Sequence, residues 1–253
     1  MVEDLKNTIQ VVVLAAGHGK RMGQADLPKV LVPFRGLPLI RHLLKSIKES
    51  GVCARPVIVV GQKAELVKET LGNDYEYVTQ AEQLGTGHAV AVARALLENK
   101  TQNIMVLLGD HPFVSAQTIN RLATEHISRG ATITMTTVKV DDFSDWRQGF
   151  SDFARVLRDS TGQVCGIVEK RDATAEQLQI NELNPAYFCF KADWLWQNLT
   201  KLKNDNSQQE YYLTDLVAMA GEQNEFVSAI EIDAREALGV NTPEQLALLE
   251  KFE

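Results

Sequence analysis

Four short apolar runs, each followed by a segment of helical character, constrain this chain more than any other feature. Residues 9–14 (IQVVVL), 56–60 (PVIVV), 75–79 and 104–108 (IMVLL) read as strands. Three of them are nearly unbroken aliphatic runs, the pattern of a strand covered on both faces. Between and after them lie helical segments at 39–49, 64–71, 86–97 and 117–128. The first carries Leu39, Ile40, Leu43, Leu44 and Ile47 as a stripe and ends at Gly51. Such alternation predicts a parallel, doubly wound sheet with helices on both faces. Ligands of such sheets bind outside the carboxyl ends of the strands, so the turns after Leu14 and Leu108 should share one rim.

The pattern changes after Gly130. Residues 131–140, 154–158, 164–169, 187–191 and 227–232 read as strands, with Thr161-Gly162 as a hairpin turn between the second and third. Residues 192–202 and 212–223 read as helices. Thr242-Pro243-Glu244 opens a last helix with a capping hydroxyl and Pro in the first turn. No linker or internal repeat divides the chain. We read 1–253 as one domain, with a βα-alternating half at 1–130 and a mixed-sheet half at 131–253.

Charge narrows the range of ligands. The 253 residues hold 26 Lys and Arg against 33 Asp and Glu, net −7. This balance argues against nucleic acid or an anionic membrane as a partner. Residues 17–48 alone are +6, with Lys20, Arg21, Lys29, Arg35, Arg41, Lys45 and Lys48 against Asp26, which leaves −13 elsewhere. Arg41, Lys45 and Lys48 recur at helical spacing and suit a solvated face. Lys20, Arg21 and Lys29 do not, and suit a compact anion. No apolar run is long enough to span a membrane, and residues 1–10 have no signal-peptide character, so the expected location is cytoplasmic. Cys53, Cys165 and Cys189 form neither a disulfide framework nor a zinc pair and are expected as reduced core residues.

Three motifs bear on chemistry. The first runs Leu14-Ala15-Ala16-Gly17-His18-Gly19-Lys20-Arg21-Met22, followed by Leu27-Pro28-Lys29. Small residues let backbone N–H groups approach phosphate oxygens, and Arg21 and Lys29 would add charge-assisted bonds. It is not a P-loop, and it fails the dinucleotide fingerprint because Met22 stands where the third Gly belongs. By itself it fits a tight turn as well as a phosphate loop. His18 is a candidate phosphate contact. The second motif is Gly109-Asp110 at a strand's carboxyl end, which suits either a Mg²⁺ ligand or a plain turn. His111 beside it suits a phosphate or metal contact, or a structural role. The third is Gln80-Ala81-Glu82-Gln83-Leu84-Gly85-Thr86-Gly87-His88-Ala89, where Thr86 offers a helix cap and Gly85 and Gly87 permit close backbone approach.

LAAGHGKRM, LPKVL, QAEQLGTGHA, GD, GIVEKRDAT, QQEYYLTD and GVNTPEQL occur in that order over about residues 9–250. Together they resemble the N-terminal domain of the bacterial bifunctional N-acetylglucosamine-1-phosphate uridylyltransferases. The first motif is shared by many sugar-phosphate nucleotidyltransferases, and the later ones narrow the likeness to the uridylyl group. The resemblance implies a Rossmann-like α/β fold of glycosyltransferase-A type, with a mixed, mostly parallel sheet. It implies transfer of a uridylyl group from UTP to a sugar 1-phosphate with release of pyrophosphate and Mg²⁺ as cofactor. The family's phosphate-binding cations fall on Arg21 and Lys29. Its uracil-reading residues fall on Ala15, Gly17, Gln80 and Gly85, with Leu14, Ala16, Gly19, Gln83 and Thr86 completing the nucleotide contacts. Its sugar contacts fall on Thr86, Ala154, Glu169 and Asn184, and its metal ligands on Asp110 and Asn241.

The chain departs from the family on the sugar side. Leu108 replaces an aromatic before Gly-Asp, Asp152-Phe153-Ala154-Arg155 replaces Gly-Tyr-Gly-Arg, and Asn184-Pro185-Ala186 replaces Asn-Thr-Gly. The stretch before Lys29 is one residue longer. A different acceptor, such as another hexose phosphate or a phosphorylated small alcohol, is one alternative, and a non-catalytic nucleotide-sugar sensor is another. The bifunctional family continues into a trimeric β-helix of hexapeptide repeats, and these 253 residues contain no such repeat. The expectation is a monomer or dimer without acetyl transfer.

Overall fold

Residue alternation along the first strands decides the architecture. In the computed structural model, which describes residues 8–17, 19–22 and 27–252, β1 (Ile9–Ala15) sends Val11, Val13 and Ala15 to one core and Val12 to another. In β4 (Val57–Val60), Ile58 and Val60 face the first core and Val57 and Val59 the second. In β6 (Asn103–Leu108), Met105 and Leu107 oppose Ile104 and Val106 in the same way. A period of two on strands covered on both faces produces the unbroken apolar runs of the sequence.

The described elements run in chain order as follows. After β1 come β2 (Pro33–Phe34), β3 (Leu37–Pro38), α1 (Leu39–Ser50), β4, α2 (Ala64–Leu71), β5 (Glu76–Thr79), α3 (Thr86–Ala91), α4 (Arg94–Leu97), β6, α5 (Ala116–Arg129) and β7 (Ile133–Lys139). The second half adds β8 (Ala154–Arg158), β9 (Val164–Val168), β10 (Glu182–Asn184), β11 (Phe188–Lys191), α6 (Ala192–Leu199), α7 (Asp215–Glu222), β12 (Val227–Glu231) and α8 (Pro243–Leu249). α1 and α5 pack Leu43, Ile47, Ile119 and Leu122 into the first core. α3, α6 and α7 pack Val90, Leu195, Trp196, Leu216 and Val217 into the second. Each such side chain, fully buried, contributes roughly 1.5–3 kcal/mol.

Ten of the described strands form one mixed sheet in the order β5-β4-β1-β6-β11-β7-β10-β8-β9, with β12 paired to β7, while β2 and β3 pair separately. β5, β4, β1 and β6 are mutually parallel, while β11 runs antiparallel to β6 and β7. The chain leaves β1 toward β4 and leaves β6 toward β7. The topological switch therefore falls between β1 and β6, where Leu14 is level with Leu108. The expected hairpin is β8–β9, antiparallel.

Three expectations need correction. The helix expected over 86–97 is two helices. The chain tightens to i→i−3 bonds, Ala93 to Val90 at 3.0 Å and Leu96 to Ala93 at 3.1 Å, and Arg94 reaches the Trp196 carbonyl at 3.2 Å. No breaker residue marks this site in an Ala-rich stretch, so the break belongs to packing. Thr86 is not the cap but the first helical residue, after Gly85. Cys165 is exposed on β9, the edge strand, although Cys53 and Cys189 are buried as expected. Trp196 is buried and Trp194 half-buried. Among the described residues no helix is long and apolar enough to cross a membrane.

Candidate active site

Three segments distant in sequence meet at the carboxyl rim of β1 and β6. Pro28, extended at φ −53° and ψ 134°, delivers the chain into a 3-10 turn, Lys29–Leu31, whose Val30 and Leu31 are buried. That anchorage leaves Lys29 at the rim. Gly109 follows β6 and donates its N–H to the Leu14 carbonyl at 2.9 Å, which sets Asp110 beside the β1 loop. The third segment lies between β12 and α8. The Val240 N–H donates to the Asp110 carbonyl at 3.1 Å, and Asn241 follows. α8 is capped as the sequence predicts, with Thr242 Oγ1 accepting from the Gln245 N–H at 3.2 Å and Pro243 at the first position.

Lys29 Nζ donates to Asp110 Oδ2 and, at 2.8 Å, to Asn241 Oδ1. Burial raises the Asp110 carboxyl, but the Lys29 ammonium and its hydrogen bond, together with His111 and a backbone hydrogen bond, outweigh it and hold the group below its ordinary value. Burial pushes the neighbouring His111 down, against the pull of Asp110. Two oxygens of hard character converge on one cationic point. Among the described residues no cluster of three His, Cys, Asp or Glu side chains forms a metal cage. One carboxylate and one amide oxygen nevertheless suit Mg²⁺, which takes few protein ligands and fills the rest with phosphate and water.

Beside this cluster lies a cavity of about 270 Å³, lined by Leu14, Ala15, Ala16, Gly17, Lys29, Gln80, Gln83, Gly85, Thr86 and Asp110. Nearly all the nucleotide positions expected from the sequence thus share one wall. Gly19 lies outside that lining, packed at φ +60° against the Lys29 side chain. Gly85 sits at φ +103° and abuts Tyr211, whose carbonyl would be 2.7 Å from an added Cβ. Only glycine permits both the angle and the approach. Gln80 is 3% exposed. Its Nε2 donates to the Gly85 carbonyl at 3.1 Å and meets His88 Nδ1 at 3.2 Å, so Oε1 is the atom its amide offers to a ligand. Gln83 donates to the Gln80 carbonyl at 3.2 Å.

The sugar positions are arranged differently. Ala154 and Asn184 are register partners on β8 and β10. The Asn184 amide is engaged by backbone: Nδ2 donates to the Thr136 carbonyl at 3.1 Å, and Oδ1 accepts from the Ala186 N–H at 3.1 Å. Glu169 Oε1 accepts from Thr214 Oγ1 at 2.9 Å, and burial raises its carboxyl. Thr86 Oγ1 accepts from the Leu213 N–H at 3.0 Å, which links it to Glu169 through the neighbouring Thr214. Ala154, Glu169 and Asn184 do not line the 270 Å³ cavity.

Arg21 is exposed and lines a second, wider cleft of about 820 Å³, together with His111, Trp146, Asn241 and Gln245. The cluster of Lys29, Asp110 and Asn241 therefore stands between two openings. His18 lies outside the described residues. Glu210 lines the smaller cavity, and burial raises its carboxyl. Sequence reasoning assigned it no role, although it belongs to the QQEYYLTD motif.

Residues 11–215 match the family described as the MobA-like NTP transferase domain. Relatives called bifunctional protein GlmU are similar over most of the chain. The one from Clostridium beijerinckii is 41% identical over 242 residues, 95% of this chain and 51% of its own length. The one from Pelobacter propionicus is 40% identical over 242 residues, 94% of this chain and 51% of its own length. The chain spans about half the length of the curated relatives it matches. The likeness to bifunctional enzymes read from the motifs is borne out by these relatives. A Bacillus anthracis structure assigned as a glucose-1-phosphate thymidylyltransferase superposes with a TM-score of 0.74 at 17% identity, covering 97% of each chain. UDP-glucose pyrophosphorylase complexed with UDP-glucose gives 0.71 at 18% identity, covering 96% of this chain and 97% of that one. At these identities the two structures establish the fold, an α/β fold of nucleotidyltransferase type.

Proposed function

The chain belongs to the MobA-like NTP transferase family, and on that premise we propose that it transfers a uridylyl group from UTP to a sugar 1-phosphate. N-acetylglucosamine-1-phosphate is the first candidate acceptor. The observation that carries this reading is the meeting of Lys29, Asp110 and Asn241 beside a cavity walled by the Ala15–Gly17 backbone and the Gln80 amide. A phosphate oxygen of the acceptor attacks the α-phosphorus of UTP. The bond to the bridging oxygen breaks, and its electron pair leaves on pyrophosphate. No covalent nucleophile is needed, so the protein's work is positioning and neutralisation of charge. Mg²⁺ held by Asp110 and Asn241 would neutralise charge on the phosphate oxygens. Lys29 and the exposed Arg21 supply the fixed positive charge for the leaving group. Ala154, Glu169 and Asn184, in the half formed by residues 131–253, make up the acceptor side together with Thr86 at the start of α3. UTP and sugar phosphates are cytoplasmic metabolites, and we assign the reaction to that compartment.

A catalytically idle sensor has no need of an ammonium shared between two candidate metal ligands, which favours the enzyme. Pyrophosphate release from UTP and Mg²⁺ with a panel of sugar and small-alcohol phosphates tests the proposal. The expected result is UDP-N-acetylglucosamine, identified by mass; turnover with none of the panel would overturn it.

Gln80 should act on base choice. With Nε2 tied to Gly85 and His88, Oε1 can accept from the N3–H of uracil but meets a lone pair at N3 of cytosine. Gln80→Ala is expected to weaken UTP and narrow the preference for UTP over CTP by roughly 1–3 kcal/mol. An unchanged ratio of kcat/KM for the two nucleotides would move base recognition to the backbone of the Ala15–Gly17 loop.

A further inference from the structure

His111 is 5% exposed, Tyr187 is fully buried, and neither is used by the reaction as described. Both stand where two chain segments must be held together to form the metal site. The Tyr187 hydroxyl lies 2.6 Å from His111 Nδ1 and 3.0 Å from the Glu236 carbonyl oxygen. A tyrosine hydroxyl has one hydrogen, and a carbonyl oxygen can only accept. The hydrogen therefore goes to Glu236, and the hydroxyl oxygen accepts from His111 Nδ1–H. Above the ordinary titration range of imidazole the ring carries one hydrogen, and with that hydrogen on Nδ1 the Nε2 is bare.

The position of Nε2 is also fixed. The ring packs closely against the chain at Gly239, where an added Cβ would lie 2.4 Å from Nε2 and 2.6 Å from Cδ2. Nε2 lies 3.9 Å from Asp110 Oδ1, while the other Asp110 oxygen is engaged by Lys29. His111 also lines the cleft shared with Arg21 and Asn241. Two acceptors about 3.9 Å apart are at the separation one water molecule bridges with ordinary hydrogen bonds. Mg²⁺ characteristically retains several waters.

We infer that Tyr187 and His111 are positioning residues for the metal site: Tyr187 locks His111 with its hydrogen on Nδ1, and the bare Nε2 joins Asp110 Oδ1 in orienting a water of the bound divalent cation. The same pair ties the end of β6 to the segment that carries Asn241. This rests on the assignment of Asp110 and Asn241 as metal ligands under the proposed function. It adds the outer contacts that decide how firmly a ligand pair holds its ion.

The test reads the ring and the ion without nucleotide. In ¹⁵N-histidine-labelled wild-type protein at neutral pH, His111 should show a protonated Nδ1 and an unprotonated Nε2. Mn²⁺ added alone, followed by electron paramagnetic resonance, should bind wild type. It should bind Tyr187→Phe and His111→Leu about tenfold or more weakly. Tyr187→Phe keeps the ring packing and serves if His111→Leu fails to fold. A protonated Nε2 in wild type would overturn the inference. So would variants that lose thermal stability yet bind Mn²⁺ as wild type does. Wild type that binds no Mn²⁺ would overturn the metal assignment together with the inference. A protein that shows the predicted ring and ion binding but does not turn over UTP would refute the uridylyl reaction and leave the pair in place.

Discussion

Asp110→Asn is expected to lower turnover at least about a hundredfold, with Asn241→Ala close behind. The Asp110 substitution keeps the shape of the side chain and removes only its charge. Asp110 is buried, and its carboxylate is the acid of a cluster whose other members are Lys29 and Asn241. In the proposed reaction, charge moves onto the departing pyrophosphate as the α-phosphorus is attacked. A preorganised contact that acts at that moment is commonly worth ~3 kcal/mol, or a hundredfold in rate. Asn241→Ala removes the second oxygen and should also raise the Mg²⁺ concentration required. The measurement is kcat at saturating UTP, acceptor and Mg²⁺, with circular dichroism to confirm the fold. Either variant at full rate would remove Asp110 or Asn241 from the metal site.

Lys29→Met should act on stability as well as on catalysis. The Lys29 and Asp110 side chains are 13% and 12% exposed. Removing the ammonium leaves a carboxylate with poor access to water, a situation that costs roughly 3 kcal/mol or more. The double variant Lys29→Met/Asp110→Asn removes both charges and should recover most of that loss while remaining inactive. Urea denaturation at pH 7 measures the difference, provided the m-value is unchanged. The acid side adds a second reading. The Asp110 carboxyl lies below its ordinary value in the folded protein. The stability it contributes is therefore fully present above the ordinary carboxylate pKa and is lost as pH falls through the folded value. The gap between wild type and Lys29→Met should narrow over that interval. Equal stability of the single variant and wild type at pH 7 would show that the ion pair does not hold the rim together.

The first half of the fold was legible because its signals are local. A strand covered on both faces must be apolar at every position, and the runs at 9–14 and 104–108 obey that. The stripe of Leu39, Ile40, Leu43, Leu44 and Ile47 became α1. β10 passed unnoticed because three residues, Glu182–Asn184, are too short for any periodicity to register. The paired strands β2 and β3 are shorter still. Cys165 was misplaced because apolar composition does not distinguish an edge strand from a central one. The break between α3 and α4 has no mark in the sequence, since Ala91-Val92-Ala93 contains neither Gly nor Pro.

Residue chemistry marked Lys29 and Asp110 as suited to phosphate and Mg²⁺ as well as to plain turns, the family resemblance added Gln80 and Asn241, and the strand pattern put the turns after β1 and β6 on one rim. Those properties depend on side-chain identity and on the rule that parallel strands end together. Only tertiary structure decided that Lys29 bonds partners 81 and 212 residues away. It alone decided that Gln80 presents oxygen rather than nitrogen, that Arg21 faces a cleft apart from the cavity lined by Gln80, and that Tyr187 meets His111 across 76 residues. The physical reason is range. Propensity and periodicity act over one turn or one strand, whereas hydrogen-bond partners are assigned by strand order and by the burial that leaves each polar atom one place to go.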